Sequence, residues 1–233
     1  MKPRNTVFFA VLASAILMLS VAYLSFDRIA VAFFLHPRDL SVSYKKFTNK
    51  SFKELIFTDF SILDKKRGIG FIAHNADISP HYNTLFSGAT TVDFRFSDLR
   101  FIAKKGPGEV KASTDVNELV IMPFSGSSSY HDVYGTIQSR KDSLYIESLT
   151  ADGQTICLSL KGSIYNDQTA DLALTIRFAK DLLAGIPEDW SKVVLRDEPN
   201  DWKSISANIT GDLSKPYLQV TGRLFRLNIR EKK

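Results

Sequence analysis

The sequence predicts a mainly β domain that follows one N-terminal transmembrane helix. Residues Thr6–Phe26 are uncharged and mostly apolar, and a helix of that length, at roughly 1.5 Å per residue, crosses the hydrocarbon core of a bilayer. Most of the remaining chain alternates apolar and polar residues with a period of two, which is typical of strands with one buried face. We therefore divide the 233 residues into an anchor region, 1–37, and a translocated β-domain, 38–233.

The charges around the apolar segment predict its orientation. Lys2 and Arg4 precede it, so the positive-inside rule keeps the N-terminus in the cytoplasm and translocates the rest of the chain. A cleaved signal peptide is the alternative, but its apolar core is shorter, at about 7 to 15 residues, and Ser20–Ala22 is a weak cleavage site. Apolar character resumes at Ile29–Leu35, and Pro37 ends it. We expect a retained anchor.

The composition excludes several classes of protein. The net charge of +5 is mild, and basic residues do not interleave with aromatic ones in a stripe, so we expect no nucleic-acid partner. Cys157 is the only cysteine, which excludes an internal disulfide and a lipid-modified cysteine directly after the apolar segment. The 17 Phe and 8 Tyr suit β-structure and apolar surface.

Strands are predicted wherever the alternation is bounded by turn residues. Leu172–Phe178 has the cleanest pattern. Short turns such as Lys104–Gly108 and Ala151–Gly153 join neighbouring segments, so we expect antiparallel pairing. In chain order the predicted strands cover residues 52–63, 69–78, 90–102, 109–122 (a strand or a pair), 133–138, 143–149, 155–164, 172–178, 202–210 and 217–229.

Two of these segments change parity. In 52–63 the apolar residues Phe57 and Phe60 have opposite parity, which predicts a strand with mixed faces. In 90–102 the alternation of Phe94 and Phe96 gives way to Leu99, which predicts a bulge near Ser97 and Asp98.

The period changes to a helical one only near residues 179–194. Apolar residues there recur at roughly helical spacing, and Pro187 suits the first turn of a second short helix. The fold is therefore many antiparallel strands, a short helical insert near residues 179–194 and a closing strand pair. The strand pattern alone is compatible with a closed barrel, a sandwich or a long, curled open sheet.

Three segments of the C-terminal third carry a resemblance to a known family. Leu172–Phe178, Asp181–Pro187 and Trp202–Pro216, the last ending in the motif G-x-L-S-K-P, are similar to the end of AsmA-like envelope proteins, which include the GspN-type component associated with type II secretion. The resemblance covers roughly residues 130–229, and the single N-terminal anchor also fits. Its motifs are strands and turns, and it assigns no catalytic residue.

The resemblance implies an elongated antiparallel curled sheet, groove-like, with an apolar interior. It also implies a single-pass protein of the inner membrane, held through residues 6–26, with a periplasmic C-terminal domain. The larger members are implicated in moving or organising phospholipid between membranes. About ten strands at roughly 4.8 Å spacing reach only about 50 Å, so this chain would be one segment of a bridge or a small adaptor.

The apolar strand faces give the candidate site. They form either an ordinary core or a groove for acyl chains. The candidate groove residues are Phe94, Phe96, Leu172, Leu174, Ile176, Phe178, Ile205, Ile209, Leu218 and Val220. Near the C-terminus, Arg223, Arg226 and Arg230 are candidates for contact with acidic lipid headgroups, or they belong to the solvated face of a last strand.

Other clusters of reactive residues have simpler interpretations. His74, Asp77 and His81 lack the convergent geometry of metal ligands on a strand. The serines of 125–129 lie beside His131 and Asp132, but they lack a nucleophile elbow and read as a loop. We therefore expect no enzyme, no metal and no cofactor.

Two functions remain. In the first, the β-domain binds phospholipid acyl chains and aids lipid transport or envelope assembly. In the second, it is a structural adaptor of a type II secretion-like complex, with a closed core and exposed edge strands that bind envelope or secretion-complex proteins.

Overall fold

The computed structural model describes residues 40–50, 54–64, 68–81, 90–102, 114–126, 128–213 and 215–230. Within these ranges the protein is mainly β, with one curled antiparallel sheet and few helices, which confirms the predicted class. The anchor region 1–37, including Thr6–Phe26, and the turn Lys104–Gly108 lie outside the described residues. Among the residues that are described, no helix is long and apolar enough to cross a membrane.

Over the residues that the structure describes, the sheet has 13 strands, and neighbours in the chain are mostly neighbours in space. Strands β1 and β2 both pair with β3, and β10 and β12 both pair with β11. From β3 to β9 each strand pairs with the next one along the chain. The strands are β1 Leu40–Ser43, β2 Lys46–Lys50, β3 Glu54–Asp64, β4 Ile69–His81, β5 Thr90–Ile102, β6 Ser129–Ser139, β7 Ser143–Asp152, β8 Ile156–Tyr165, β9 Thr169–Phe178, β10 Arg196–Asp197, β11 Lys203–Asp212, β12 Tyr217–Thr221 and β13 Arg226–Arg230.

The helical insert is found where it was predicted. A 3-10 helix covers Lys180–Leu183 and helix α2 covers Glu188–Val194. Pro187 is the residue just before α2, where its missing N–H costs no helical hydrogen bond. A further 3-10 turn covers Pro199–Asp201. The insert connects β9 to β11, and these two strands pair along their full length.

One predicted strand is wrong, because part of 109–122 is helical. Helix α1 covers Val116–Ile121, and a 3-10 turn continues it over Met122–Phe124. Asp115 caps the helix, since its side chain accepts a hydrogen bond from the backbone N–H of Asn117 at 2.8 Å. Glu118 lies in the first turn, where a negative charge stabilises the positive end of the helix dipole.

Side chains in register form apolar rows across the strands. The pairing places one such row directly across eight strands, and we call the face that carries it the apolar face. At about 4.8 Å per strand the row spans roughly 34 Å. Its members are Phe57, Ala76, Phe96, Val133, Ala151, Leu158, Ile176 and Ile205.

Two aspartates explain the parity changes seen in the sequence. Asp59 and Asp98 both have a left-handed backbone with φ of 52°. On β3 this places Phe57 and Phe60 in the same buried cluster, so the predicted mixed face is wrong. Pairing keeps its register on both sides of each aspartate, so neither strand contains an inserted residue. The parity change near Asp98 is therefore a left-handed kink and not the bulge we predicted.

Candidate binding cavity

An apolar cavity of about 400 Å³ lies on the apolar face over β4 to β8. We call it the apolar cavity. Of the described residues that line it, only Tyr130 has a polar side-chain atom. The lining residues are Phe71, Ile78, Val92, Phe94, Phe96, Leu99, Phe101, Phe124, Tyr130, Val133, Ile137, Leu149, Ala151, Leu158 and Leu160.

Aromatic rings from β4 and β5 form much of the lining. The ring centroids of Phe94 and Phe96 are 5.4 Å apart, and those of Phe71 and Phe96 are 5.5 Å apart. Phe96 also stacks on Phe60 at 6.1 Å. Such contacts fix the rings through edge and face interactions, so this part of the cavity is preformed.

A glycine makes room for one of these rings. Gly135 of β6 pairs with Phe94 of β5. A methyl group at Gly135 would lie 3.0 Å from Cζ of Phe94 and 2.2 Å from the carbonyl oxygen of Ser148. The ring of Phe94 therefore lies against bare backbone, which is possible only because residue 135 has no side chain.

The segment after α1 forms a wall of the cavity. Tyr130 donates a hydrogen bond from its hydroxyl to the carbonyl oxygen of Pro123 at 2.8 Å, and Ser128 donates one to the carbonyl oxygen of Met122 at 2.7 Å. Burial raises the pKa of Tyr130 well above its ordinary value, so the phenol stays a neutral donor. Phe124 contacts Phe101, and it remains 43% exposed at the cavity edge.

The ten predicted groove residues fall into different environments. Phe94 and Phe96 line the apolar cavity. Five others do not line the cavity; each is at most 1% exposed and packs in the buried cluster that contains Leu183 and Leu195 of the helical insert. These five are Leu174, Ile176, Phe178, Ile205 and Val220.

The last three predicted groove residues are also on the apolar face, but they lie nearer the other ends of the strands than the five buried residues do. Leu172 is buried beside Ile146, while Ile209 and Leu218 are half-buried. The face is thus covered over β9 to β12 and contains the cavity over β4 to β8.

Sequence reasoning missed most of the lining. Strands β6, β7 and β8 were predicted, but the face of each was not. Pairing between β6 and β7 shifts register at Thr136 and Ile137, and pairing between β7 and β8 shifts between Ile146 and Leu149. The short repeat of Val133, Gly135 and Ile137 was the available signal for β6.

The three arginines predicted to contact lipid headgroups differ in their surroundings. Arg223 donates a hydrogen bond to Asp197 Oδ2 at 2.8 Å, and Asp197 also accepts one from Lys203 at 2.5 Å. The hydrogen bond from Lys203 is the main cause of the lowered pKa of Asp197. Arg226 is exposed at the start of β13. The side chain of Arg230 lies outside what the structure describes.

The histidines of 74–81 have separate partners. His74 Nδ1 lies 3.3 Å from Asp59 Oδ1, and His81 Nε2 lies 2.6 Å from Asp93 Oδ2. In the described part of the chain, no group of three or more His, Cys, Asp or Glu side chains could hold a metal ion.

The residues of the serine-rich segment make structural contacts. The hydroxyls of Ser125 and Ser128 are 3.2 Å apart. Asp132 accepts two hydrogen bonds from the guanidinium of Arg95, at 2.8 and 2.6 Å. This Asp132–Arg95 pair lies on the face opposite the cavity, so Asp132 is not oriented toward Ser128.

Comparison of the chain with protein-family models, curated proteins and solved structures finds no match. The resemblance to AsmA-like envelope proteins stays a prediction.

Proposed function

We propose that this protein is a membrane-anchored, non-enzymatic envelope protein that binds the acyl chains of phospholipid on its apolar face. The observation that carries the proposal is the apolar cavity of about 400 Å³ between β4 and β8. That volume is within the range of small-molecule sites, roughly 300 to 1,000 Å³. Binding there would aid lipid transport or envelope assembly from the inner membrane, with Thr6–Phe26 as the anchor and the β-domain in the periplasm.

The chemistry of the lining supports a hydrocarbon ligand. The only polar side-chain group among the described lining residues, the Tyr130 hydroxyl, is already bonded to Pro123. A peptide would bring backbone N–H and C=O groups into this site without partners, at a cost of about 1 to 3 kcal/mol each. A hydrocarbon chain has no such groups and contributes roughly 0.8 kcal/mol for each methylene removed from water.

Photo-crosslinking in cells tests the proposal on the full chain. A photoreactive phenylalanine analogue replaces Phe124 at the cavity edge, and the matched control replaces Tyr134, which is on the opposite face. Both positions are 43% exposed, so accessibility does not distinguish them. We expect a lipid adduct, identified by mass spectrometry, at position 124 and none at position 134. Equal lipid labelling at both positions, or none at 124, would contradict the proposal.

The structural adaptor remains the second candidate, because the sheet ends in an exposed apolar edge. Among the described strands, β13 is at one end of the sheet order. Leu227 of β13 and the preceding Leu224 are 39% and 72% exposed. An edge strand of this kind can pair with a strand of another protein. The same photoreactive analogue at Leu227 would then give a protein adduct, whereas position 124 would give none.

A further inference from the structure

The apolar cavity is closed at the β8 end. Leu158 and Leu160 of β8 line it. Their partners on β9, Ile176 and Leu174, are buried in one cluster with Leu195 of the helical insert. A ligand that enters from the β4 side therefore meets packed side chains after β8. The apolar face is continuous across the sheet, but the space above it ends at β8.

The size of the cavity matches one hydrocarbon chain. A methylene group occupies about the volume of a water molecule in the liquid, roughly 30 Å³, so about 400 Å³ accommodates some thirteen carbons. Four strand spacings from β4 to β8 cover about 19 Å. Thirteen carbons in an extended chain, with C–C bonds of about 1.5 Å, cover roughly 16 Å. Volume and length therefore agree on one chain.

We infer that the apolar cavity takes the end of a single acyl chain, about thirteen carbons long, with its methyl terminus toward β8. This inference rests on the proposed function and narrows the ligand to one chain per protein. A two-chain lipid would leave its second chain outside the cavity, and a single-chain amphiphile would satisfy the site completely.

A chain-length series of saturated fatty acids, from about eight to eighteen carbons, tests the inference on the full chain held in an amphipathic polymer. Burial of each methylene raises the affinity about fourfold. We expect calorimetric titration to show this increase up to about thirteen carbons, followed by a plateau, with one fatty acid bound per protein.

Two variants move the plateau in opposite directions. Ala151→Leu adds three carbons to the lining, so affinity should stop increasing at a fatty acid about three carbons shorter, at about one methylene volume per carbon. Phe94→Leu removes three carbons from the lining, so the plateau should begin at a fatty acid about three carbons longer. Ala173→Leu is the matched control, because Ala173 is on the opposite face of β9, between buried Leu172 and Leu174. It should leave the plateau in place.

The outcomes separate this inference from the proposed function. Affinity that increases up to eighteen carbons, two fatty acids per protein, or a plateau that neither variant moves would overturn the single-chain inference while leaving acyl binding intact. No binding of any fatty acid, together with no lipid adduct at position 124, would overturn both. If Ala151→Leu does not fold, Phe94→Leu and Ala173→Leu still decide the result.

Discussion

At the residue scale, two left-handed aspartates determine which face carries the aromatic rings. Asp59 and Asp98 each reverse the parity of their strand without adding a residue. Asp tolerates this backbone region better than most side chains, because its short polar group interacts locally. As a result Phe57 and Phe60 pack together, and Leu99 joins Phe96 in the cavity lining.

Substitutions at Asp98 test this role of the backbone. Asp98→Gly should leave the free energy of unfolding unchanged or raise it, since glycine adopts a positive φ without strain. Asp98→Val should lower it by about 1 to 2 kcal/mol, the cost of a left-handed conformation for a branched residue. Urea denaturation followed by circular dichroism measures both. A glycine variant as unstable as the valine variant would show that the carboxylate, and not the backbone, is required.

The Tyr130 hydroxyl holds the cavity wall to the sheet. Tyr130→Phe leaves the buried carbonyl of Pro123 without its donor, so we expect the unfolding free energy to fall by about 1 to 3 kcal/mol. Tyr134→Phe is the matched control, since Tyr134 is exposed on the opposite face, and it should change stability by less than about 0.5 kcal/mol. Equal effects of the two variants would contradict this role for Tyr130.

Asp93, on the face opposite the apolar cavity, makes the free energy of unfolding depend on pH. Hydrogen bonds from Thr136, at 2.6 Å, and then from His81 hold the pKa of Asp93 below its ordinary value of 3.8. Because the folded-state pKa is the lower one, this stabilisation is present above about pH 4 and is lost as the pH falls through the folded value.

Thr136→Val removes the larger of these two causes. We expect the variant to be less stable than wild type near neutral pH, with the difference shrinking as Asp93 becomes protonated below about pH 4. Thr175→Val is the control, because the hydroxyl of Thr175 lies 3.4 Å from the neutral hydroxyl of Ser206. Its stability difference should not change with pH. Denaturation curves at several pH values measure both, and a constant difference for Thr136→Val would contradict the linkage.

At the element scale, the helical insert closes one half of the apolar face. Leu183, Val194 and Leu195 of the insert pack in one cluster with Ile176 and Ile205 of the sheet. The insert is further attached to the β12–β13 connection, since the backbone N–H of Leu224 bonds to the carbonyl of Val193 at 3.0 Å. The strands that it covers are therefore a core and not a binding surface.

Shortening a buried side chain of the insert measures how much the insert contributes to the free energy of unfolding. Leu195 is fully buried, whereas the neighbouring Val193 is 44% exposed. Leu195→Ala should lower the unfolding free energy by about 2 to 5 kcal/mol, and Val193→Ala by less than about 0.5 kcal/mol. A small effect of Leu195→Ala, measured by thermal or chemical denaturation, would mean that the sheet is stable without the insert.

Sequence patterns predicted where the strands and helices lie better than they predicted which face of each strand is buried. Strand β9 was predictable because Leu172, Leu174, Ile176 and Phe178 face one side without interruption. Helix α1 was missed although Asp115 and Glu118 form a recognisable helix start. Most of the cavity lining could not be predicted. Period-two alternation shows that parity changes in β3 and β5, but it does not show the left-handed backbone of the two aspartates or the two register shifts.

At the scale of the whole molecule, the sheet contains both arrangements that the sequence left open. The apolar row continues from Phe57 to Ile205, and the helical insert buries the part of it beyond β8. Leu158 and Leu160 mark the change, since they contact the cavity on one side and the buried cluster on the other. A sealed core and an accessible cavity therefore share one sheet, and the core holds the cavity strands in place.

The sequential pairing from β3 to β9 has a consequence for the folding rate. Contacts between consecutive strands are local in the chain, and chains with local contacts fold quickly for their size. The pairing of Phe178 with Lys203 is different, because it must wait until the helical insert has closed the loop between them. We expect this closure to come after the rate-limiting barrier, so that Leu195→Ala accelerates unfolding and leaves the refolding rate nearly unchanged in stopped-flow experiments.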